Sequence, residues 1–311
     1  MKEINLLILF FLFGLGAQAQ SRKYYSQFNQ AQSYFNPAMT GYEGSLLRGL
    51  ARNQWAGWEG APKSYYFSTE IDFDQLKHQS KTEFGGKNAM GIFVLSDSYG
   101  AFNQVELMSS YAARVQIGEK TNLRLGAGLS WKELRLDGNN LNVEESNDPV
   151  VSPYLGRYAS MRTIDFNLGI SITHTNYYFS YSLNQANKGR LRSGDVFVNS
   201  IPQVSVFQAG YRNQLSKSVS VSTNFMFRHQ ADLPENIEIN LKAFFLERLW
   251  LGVGHRVDYA NSLQMGLIMN KLRFGYVYET PTIRSYLLPS STHELIAVFQ
   301  IFGNNQKGLI W

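Results

Sequence analysis

The chain has 311 residues, of which 44% are hydrophobic and only 17% are charged, with 29 Lys and Arg against 24 Asp and Glu. Because it contains no Cys, a disulfide scaffold, a thiolate metal site and a cysteine nucleophile are all excluded. The formal net charge of +5 is mild and is not clustered as in a nucleic-acid-binding surface, so no nucleic acid is expected as a partner.

Aromatic residues are frequent, with 21 Phe, 18 Tyr and 5 Trp making up 14% of the chain. Beyond the N-terminus, no apolar run is long enough to form a membrane-spanning helix. Few charges and many aromatics without such a helix are typical of a chain whose apolar surface is spread over alternating strands.

The N-terminus predicts export from the cytoplasm. An apolar stretch at residues 4–15 is followed by the small-residue site Ala17-Gln18-Ala19, so residues 1–19 are predicted to be a signal peptide. A membrane anchor is the alternative, but the apolar stretch is short for that role. Residues 20–45 form an N-terminal leader, which could either plug a barrel lumen or be disordered.

A regular alternation of apolar and polar side chains runs through the rest of the chain. In "TNLRLGAGLSW" (121–131) the odd-numbered positions from 123 onward carry Leu, Ala and Trp, and the even-numbered positions carry Asn, Arg, Gly and Ser. Side chains of a strand alternate between its two faces, so this segment is predicted to be a strand with one apolar and one polar face. The same pattern returns at 64–72, 104–116, 163–173 and 219–228.

The pattern predicts about 14 strands, most of them nine to eleven residues long, which suits strands that cross a membrane at a tilt. The predicted spans are 46–56, 63–73, 89–98, 103–117, 121–134, 162–174, 176–183, 204–215, 217–228, 236–246, 249–257, 260–270, 271–279 and 294–302. The predicted fold is therefore all-β, a transmembrane antiparallel β-barrel of the outer membrane over residues 46–302, with a C-terminal tail at 303–311.

The connections between the predicted strands differ in length in an ordered way. Very short turns follow the even-numbered strands, and the long loops 135–161, 184–203 and 280–293 follow odd-numbered ones, with 74–88 as the exception. Outer-membrane barrels have short periplasmic turns and longer external loops, so the long loops are expected outside the cell.

The membrane setting decides which face of each strand is the inside. Lipid cannot satisfy exposed backbone groups, so the strands must close into a barrel with their apolar faces outward. The residues expected to face lipid are Leu125, Leu129, Phe166 and Ile170, and those expected to face the lumen are Arg124, Asp165 and Asn167. Aromatics near strand ends fit either an interfacial girdle or ordinary packing: Trp55, Trp131, Tyr177, Tyr178 and Trp250.

Several motifs in series resemble the PorP/SprF family of outer-membrane proteins. They are "YFNPAMTGYEGSL" (34–46), "RNQWAGWEGAPKSYYFS" (52–68), "GIFVLSDSYGAFNQVELMSSYAARVQI" (91–117), "LRFGYVYE" (272–279) and "THELIAVFQIF" (292–302). The resemblance covers almost all of the chain after the signal peptide, although the tail "GNNQKGLIW" is unlike an ordinary barrel end. The residues that match the family pattern are Asn36, Pro37, Ala38, Gly41, Arg52, Gln54, Trp55, Gly60, Pro62, Asp97, Gly100, His293 and Glu294.

The resemblance implies a function in the type IX secretion and gliding-motility systems of Bacteroidetes. It implies type IX secretion components and outer-membrane lipid as partners, and above all the C-terminal domain of a large secreted surface protein, often an adhesin. The family residues carry over as a signature, without assigned roles. From strand parity, Arg52 and Gln54 are expected to face the lumen, either in a structural network or in contact with a partner or plug.

Recognisable catalytic and metal-binding patterns are missing from the sequence. Among the five His no two have helical metal-ligand spacing, "HEL" (293–295) lacks the second His of a zinc motif, and neither a nucleophile elbow nor a phosphate-binding loop is found. The segment "DGNNLNVEESND" (137–148) could hold Ca²⁺ but is not an EF-hand, and a polar outer loop is the more typical interpretation. No cofactor and no enzymatic activity are predicted.

The long loops mix aromatic residues with arginines, which are common anchors of protein interfaces. The residues predicted to bind the secreted partner are Tyr154, Arg157, Tyr158, Arg190, Arg192, Phe197, Tyr286 and Leu287. Two other functions stay open from the sequence: an outer-membrane transport barrel for small or hydrophobic solutes, and a barrel enzyme with a site built from scattered residues.

Overall fold

The computed structural model describes residues 25–77, 87–141, 148–149, 151–198, 200–231, 233–282 and 291–302. The predicted signal peptide, the tail at 303–311 and half of the possible Ca²⁺ segment, residues 142–147, lie outside these residues.

Most described residues belong to β-strands. Their bounds are β1 Leu46–Asn53, β2 Lys63–Asp72, β3 Lys87–Tyr99, β4 Phe102–Gln116, β5 Thr121–Asp137, β6 Tyr158–His174, β7 Tyr177–Asn184, β8 Leu191–Gly194, β9 Val204–Gln214, β10 Val219–Gln230, β11 Asn236–Phe245, β12 Leu249–Arg256, β13 Ala260–Met269, β14 Leu272–Pro281 and β15 Thr292–Gln300. The helices are short: Phe28–Gln30, Gln32–Phe35, Pro37–Met39, Phe73–Lys77, Gly138–Asn140 and Ser152–Tyr154. None of the helices in the described part of the chain is long and apolar enough to cross a membrane.

The strands form one closed antiparallel barrel. Each barrel strand pairs with its neighbours in chain order, β1 pairs with β15, and the pairing of β5 with β6 completes the ring of fourteen strands. Closure satisfies the backbone groups that an open edge would expose to lipid. The predicted fold is therefore confirmed.

The fifteenth strand, β8, was not predicted. It lies inside the predicted loop 184–203 and pairs with residues 161–164 of β6. This stretch is nearer the start of β6 than residues 168–173, which pair with β7. Its four residues, "LRSG", are too few to show an alternation, so the sequence carried no signal for it. The prediction that 184–203 is a plain loop was wrong.

The first predicted strand was also too long. Strand β1 ends at Asn53, and Trp55 follows with a left-handed φ of 53°, which breaks the extended backbone. Gln54 and Trp55 therefore lie in the turn, and the expectation that Gln54 points into the lumen as a strand residue was wrong.

The two faces of the wall follow the predicted parity. The side chains of Leu125, Leu129, Phe166 and Ile170 are exposed on the outer surface, and those of Arg124, Asp165 and Asn167 are buried inside. The inner face is less polar than expected, however, because Tyr66, Phe93, Met108 and Met226 are also buried there among others.

Two of the predicted girdle aromatics point inward. Tyr178 is fully buried and its ring lies 6.1 Å from that of Tyr42, while Trp250 is buried with the Lys242 ammonium 4.3 Å from its ring centroid. Both belong to the interior packing.

The barrel has two different ends. At the loop end β1, β5, β7 and β14 end and β2, β6, β9 and β15 begin, and the turn end carries the short connections 117–120, 175–176, 215–218, 246–248 and 270–271. The exceptional connection after β2 lies at the turn end and begins with the helix Phe73–Lys77.

Candidate functional site

The lumen of the barrel contains the N-terminal segment, which we define as residues 25–45. All of its residues are buried except Tyr34, Tyr42 and Glu43, which are half-buried. The segment contacts inward-facing side chains near the loop end at Ser26, crosses to β5 and β6 at Asn36, and reaches the turn end where β1 begins. It therefore occupies the lumen along much of its length.

A buried charged cluster holds the part of the N-terminal segment that lies nearest the loop end. Arg52 bonds to Glu279 at 2.9 Å and to Glu294 at 3.0 Å, and Arg256 bonds to Glu238 at 2.9 Å and to Glu279 at 3.3 Å. The five side chains come from β1, β11, β12, β14 and β15, so the cluster joins strands across the closure of the barrel.

Ser26 lies at the centre of this cluster. Its backbone N–H and that of Gln27 donate to Glu294 at 3.0 and 2.9 Å, its hydroxyl donates to Glu279, and its carbonyl accepts from Asn240 at 2.9 Å. Arg52 donates to the Ser26 hydroxyl oxygen at 3.1 Å.

The contacts of Ser26 supply hydrogen-bond donors to wall carboxylates that outnumber the arginines beside them. Three buried acids, Glu238, Glu279 and Glu294, face two buried arginines. A buried carboxylate needs donors for its lone pairs, and the N-terminal segment supplies two backbone N–H groups and one hydroxyl. The wall and the segment are therefore complementary parts of one network.

The middle of the segment is held by hydrogen bonds between side chains and backbone that involve β5, β6 and β7. Asn36 accepts from the Ala38 N–H at 2.9 Å and donates to the carbonyls of Ile170 and Tyr181, at 3.3 and 3.1 Å. Arg124 donates to the Ala38 carbonyl at 2.8 Å and also to that of Thr40.

Two glycines of the wall make room for this part of the segment. A Cβ built on Gly126 would overlap Pro37 and Ala38, and one built on Gly169 would overlap the Asn36 side chain. The absence of a side chain at both positions is thus required by the docked segment. In the sequence these glycines were indistinguishable from ordinary small lumen residues.

The lower end of the segment is tied to β2. Gly41 has a left-handed φ of 67° and its N–H donates to Glu70 at 2.8 Å, while the Ser33 hydroxyl donates to the same carboxylate at 2.7 Å. Glu70 also bonds to Arg48 at 2.7 Å, and Glu43 bonds to Arg273 at the same distance.

Apolar packing fills the space between these polar contacts. Tyr25, Phe28 and Phe35 of the segment belong to one buried cluster with inward-facing residues such as Leu50 and Met226. The Tyr25 ring lies 5.6 Å from Tyr34 and 6.3 Å from Tyr66. The apolar inner face that the sequence analysis did not expect is the surface on which these aromatics pack.

A second group of motif residues shapes the loop end. Gln54 N–H donates to the Pro62 carbonyl at 2.9 Å, which closes the β1–β2 loop, and Gly100 N–H donates to the Gly60 carbonyl at 2.8 Å. Gly60 and Gly100 both have left-handed φ values, 71° and 54°. The motif thus joins two neighbouring loops rather than forming a binding pocket.

The remaining motif residues separate by face. Asp97 is buried and accepts from the Ser64 hydroxyl at 2.6 Å. In the "HE" pair Glu294 points into the charged cluster, whereas His293 is on the outer face and lies 2.7 Å from the Tyr276 hydroxyl. These two neighbours therefore act on opposite sides of the wall.

Aromatic residues cover one side of the barrel mouth. We define the mouth cluster as Tyr99, Phe102, Tyr154, Arg157 and Phe197. The ring centroids of Tyr154 and Phe197 are 5.8 Å apart, those of Phe102 and Phe197 are 6.4 Å apart, and those of Tyr99 and Phe102 are 5.5 Å apart. The Arg157 guanidinium lies 5.3 Å from the Tyr154 ring centroid and 3.6 Å from Asp195.

The structure thus brings together Tyr154, Arg157 and Phe197 of the predicted partner-binding residues. Arg192 is exposed and donates to the Val198 carbonyl, next to Phe197, at 3.4 Å. Arg190 is also exposed but precedes Leu191, at the end of β8 farther from the loop end, so the structure does not bring it to the mouth cluster. Tyr158 is separate: it is 72% exposed, on the outward parity of β6. Tyr286 and Leu287 lie outside the described residues.

Sequence reasoning missed several of the residues that hold the N-terminal segment, among them Ser26, Glu279 and Arg256, and two residues of the mouth cluster. Ser26, Glu279 and Arg256 had no motif, and their only signal was a charge or small polar group on the inward parity. Tyr99 and Phe102 fell in the predicted turn between the strands 89–98 and 103–117, whereas the structure places them at the ends of β3 and β4. In the described part of the possible Ca²⁺ segment, Asp137 caps a short helix by accepting from Asn139 N–H at 3.0 Å, and no metal-binding group is found among the described residues.

Comparison with known proteins identifies the family. Residues 17–299 match the family "Type IX secretion system membrane protein PorP/SprF", and the chain belongs to it. The resemblance found in the sequence motifs is therefore confirmed. Among curated proteins no match was found.

Solved structures with a similar fold are outer-membrane barrels. The toluene transporter TbuX of Ralstonia pickettii has a TM-score of 0.53 at 12% identity, with 86% of this chain and 92% of that chain covered. The toluene transporter TodX of Pseudomonas putida has a TM-score of 0.48 at 11% identity, with 86% and 92% covered. Outer membrane protein Omp33 of Acinetobacter baumannii has a TM-score of 0.45 at 8% identity, with 83% and 97% covered. The family and the fold together place the protein in the outer membrane.

Proposed function

We propose that this member of the PorP/SprF family binds the C-terminal domain of a large secreted surface protein at its loop end and so anchors that protein to the cell. The family supplies the link to type IX secretion. The barrel supplies a fixed position in the outer membrane, and its loop end supplies the contact surface.

The observation that carries the proposal is the mouth cluster with Arg192 beside it. Aromatic rings that are already packed against one another lose little conformational freedom on binding, and exposed guanidinium groups can pair with carboxylates of a partner. A standard interface buries about 800 Å² on each partner, which a surface of two loops and the strand ends between them can provide.

The occupied lumen is the second line of support. A diffusion channel needs a continuous path, but the N-terminal segment is bonded to the wall at Ser26, Asn36 and Gly41. Transport of small or hydrophobic solutes is thus less compatible with this interior than binding at the mouth. Likeness to toluene transporters at 12% identity concerns the fold alone.

We also propose that the protein is not an enzyme. The family is a secretion-associated membrane barrel, which is a non-enzymatic kind of protein. The carboxylates of the buried charged cluster are engaged by Arg52, Arg256 and Ser26, which supports a role of the cluster in holding the segment.

The proposal is tested by reversing charge at the mouth. Cells that carry Arg157→Glu with Arg192→Glu should insert the barrel normally but release the secreted surface protein into the medium, because the partner then meets like charges. The matched control is Lys217→Glu with Arg248→Glu, which makes the same change in charge at exposed positions of the turn end.

The readout is the fraction of the surface protein on cells and in the medium, with barrel insertion checked by its heat-dependent migration on a gel. Release only in the mouth variant supports the proposal. Equal retention in the mouth variant and the wild type, or equal release in both variants, would contradict it.

Deletion of the whole segment 184–203 is a poor test. Asp165 accepts from the N–H groups of Asn187 and Gly189, both at 2.7 Å, and β8 pairs with β6. Such a deletion would damage the wall as well as the mouth, so point substitutions are required.

A further inference from the structure

Most arginines of the described barrel strands are on the inward face of the wall, and two are on the outward face. Those on the inward parity are Arg48, Arg52, Arg114, Arg124, Arg212, Arg228, Arg256 and Arg273. Within the described barrel strands, only Arg135 on β5 and Arg162 on β6 are on the outward parity, with side chains 64% and 54% exposed. An outward arginine at mid-membrane is costly, but the cost becomes small near the membrane surface.

The strand register shows the level at which these two arginines lie. Glu133 and Arg162 are direct partners across β5 and β6, and Arg135 is one outward position closer to the loop end. One outward position further from it, Trp131 pairs with Ile164, and Ile164 pairs with Leu191 of β8. The arginines therefore lie just above the point where the outer face changes from charged to apolar.

Glu133 links the two arginines without neutralising them. Arg135 donates one N–H to Glu133 at 2.8 Å and Arg162 donates another at 3.0 Å, while the carboxylate itself is covered, with only 7% of its side chain exposed. Two positive charges and one negative charge leave a net charge of +1. Each guanidinium has five N–H donors in a planar fork, so both keep donors directed to the surroundings.

A simple surface ion pair does not account for this arrangement. One arginine suffices to neutralise one carboxylate, and exposed ion pairs contribute little to stability. Two guanidinium groups fixed side by side by a shared carboxylate are instead a geometry that suits a phosphate, which accepts several charge-assisted hydrogen bonds at once.

We propose that Arg135 and Arg162 bind the phosphate of a membrane lipid headgroup. The acyl chains of that lipid lie on the apolar surface formed by Trp131, Ile164 and Leu191. Lipid is the occupant that the position favours, because the two arginines face out of the barrel at the edge of its lipid-covered surface. Glu133 is a positioning residue that holds both guanidinium groups at one spacing.

Binding of phosphatidylglycerol to the full-length protein in a mild detergent, followed by native mass spectrometry, tests the proposal. Basic residues near a membrane surface each contribute roughly a fivefold gain in lipid affinity, so Arg135→Gln with Arg162→Gln should weaken binding about 25-fold. The matched control, Lys217→Gln with Arg248→Gln, removes the same charge at exposed turn-end positions and should change it less than about twofold.

A third variant separates lipid binding from a purely structural ion pair. Glu133→Gln keeps an oxygen acceptor that holds the two arginines but removes the carboxylate charge that competes with the lipid phosphate for them, so it should bind phosphatidylglycerol more tightly than the wild type. If the two arginines only stabilise the wall, this variant should instead lose affinity together with the double variant.

The results that overturn the proposal are therefore distinct. They are unchanged binding in the arginine double variant, an equal loss in the control, or no gain in affinity in Glu133→Gln. Competition by inorganic phosphate at the same concentration as the lipid would also overturn it, since the site would then bind phosphate without using the apolar surface. Folding of each variant is checked by its heat-dependent migration.

Discussion

At the scale of single residues, Gly126 shows how closely the wall and the N-terminal segment fit. It is on the inward parity of β5, and the backbone of Pro37 and Ala38 occupies the space that a side chain would need. Overpacking of this kind typically costs about 1–3 kcal/mol, and here the segment is the part that can move. Gly49 of β1 offers a contrast, because a Cβ built there would meet no atom within 4 Å.

Gly126→Val should displace the middle of the N-terminal segment and open a path through the lumen. In planar lipid bilayers we expect the variant to conduct ions, whereas the wild type and the matched variant Gly49→Val stay closed. Equal conductance of all three proteins would show that the segment does not close the lumen.

The charged cluster around Ser26 gives a second prediction at this scale. Arg52→Gln removes the shared partner of Glu279 and Glu294, and loss of one member of a buried ion pair costs about 3–5 kcal/mol. Arg135→Gln breaks an exposed pair instead and should cost about 0–1 kcal/mol.

Urea unfolding in detergent measures both variants. The midpoint should fall clearly for Arg52→Gln and very little for Arg135→Gln. Similar midpoints for the two would mean that the buried cluster contributes no more than a surface contact.

At the scale of secondary-structure elements, the parity of β5 determines how the barrel meets the membrane. Leu125 is 55% exposed on the outer face, and its neighbour Arg124 is buried in the lumen. Leu125→Arg should therefore destabilise the barrel by about 2–4 kcal/mol near mid-membrane, while Leu125→Phe should be tolerated. Folding into lipid vesicles measures the difference, and an equal effect of both substitutions would place Leu125 away from lipid.

The position of the two barrel ends is open to a direct labelling experiment. Because the natural chain has no Cys, single cysteines can be introduced without background labelling. Arg192→Cys, next to the mouth cluster, should react with a membrane-impermeant maleimide on intact cells, and Lys217→Cys at the turn end should react only after permeabilisation. The reverse pattern would mean that the barrel is inserted with its long loops toward the periplasm.

The sequence predicted the fourteen barrel strands because each has a continuous alternation or an apolar run bounded by turn residues. It did not predict β8, because four residues are too few to show an alternation. It did not predict the end of β1 either, because the left-handed backbone position that ends the strand is occupied by Trp55 and not by a glycine. Local pattern is thus sufficient for long strands and insufficient for short ones.

Much less of the candidate site could be predicted. Arg52 and Glu294 were recognised through the family motif, but their contact joins positions 242 residues apart, and no local pattern encodes such a pairing. The same holds for Ser26, whose partners lie on five strands, and for the mouth cluster, which only the closed barrel brings together. Loop composition identified Tyr154, Arg157 and Phe197 as a set, without showing that they touch.

At the scale of the whole molecule, the barrel combines a lipid-covered wall, an occupied interior and a loop end that carries packed aromatics and exposed arginines. The N-terminal segment makes the interior part of the fold, so the mouth is the surface left for a large partner. The chain belongs to a family of type IX secretion membrane proteins. The division of roles supports the anchoring function that we propose for it.

Site-specific photo-crosslinking in living cells tests the anchoring function most directly. A photoreactive residue is placed at Arg192, whose side chain reaches the Val198 carbonyl next to Phe197 of the mouth cluster, and in a second strain at Lys217, at the turn end. We predict that light produces a high-mass adduct from position 192 whose crosslinked peptide maps to the C-terminal domain of a secreted surface protein, and no such adduct from position 217. If cells that display surface proteins give no adduct from position 192, or give the same adduct from position 217, the mouth of the barrel is not the anchoring site.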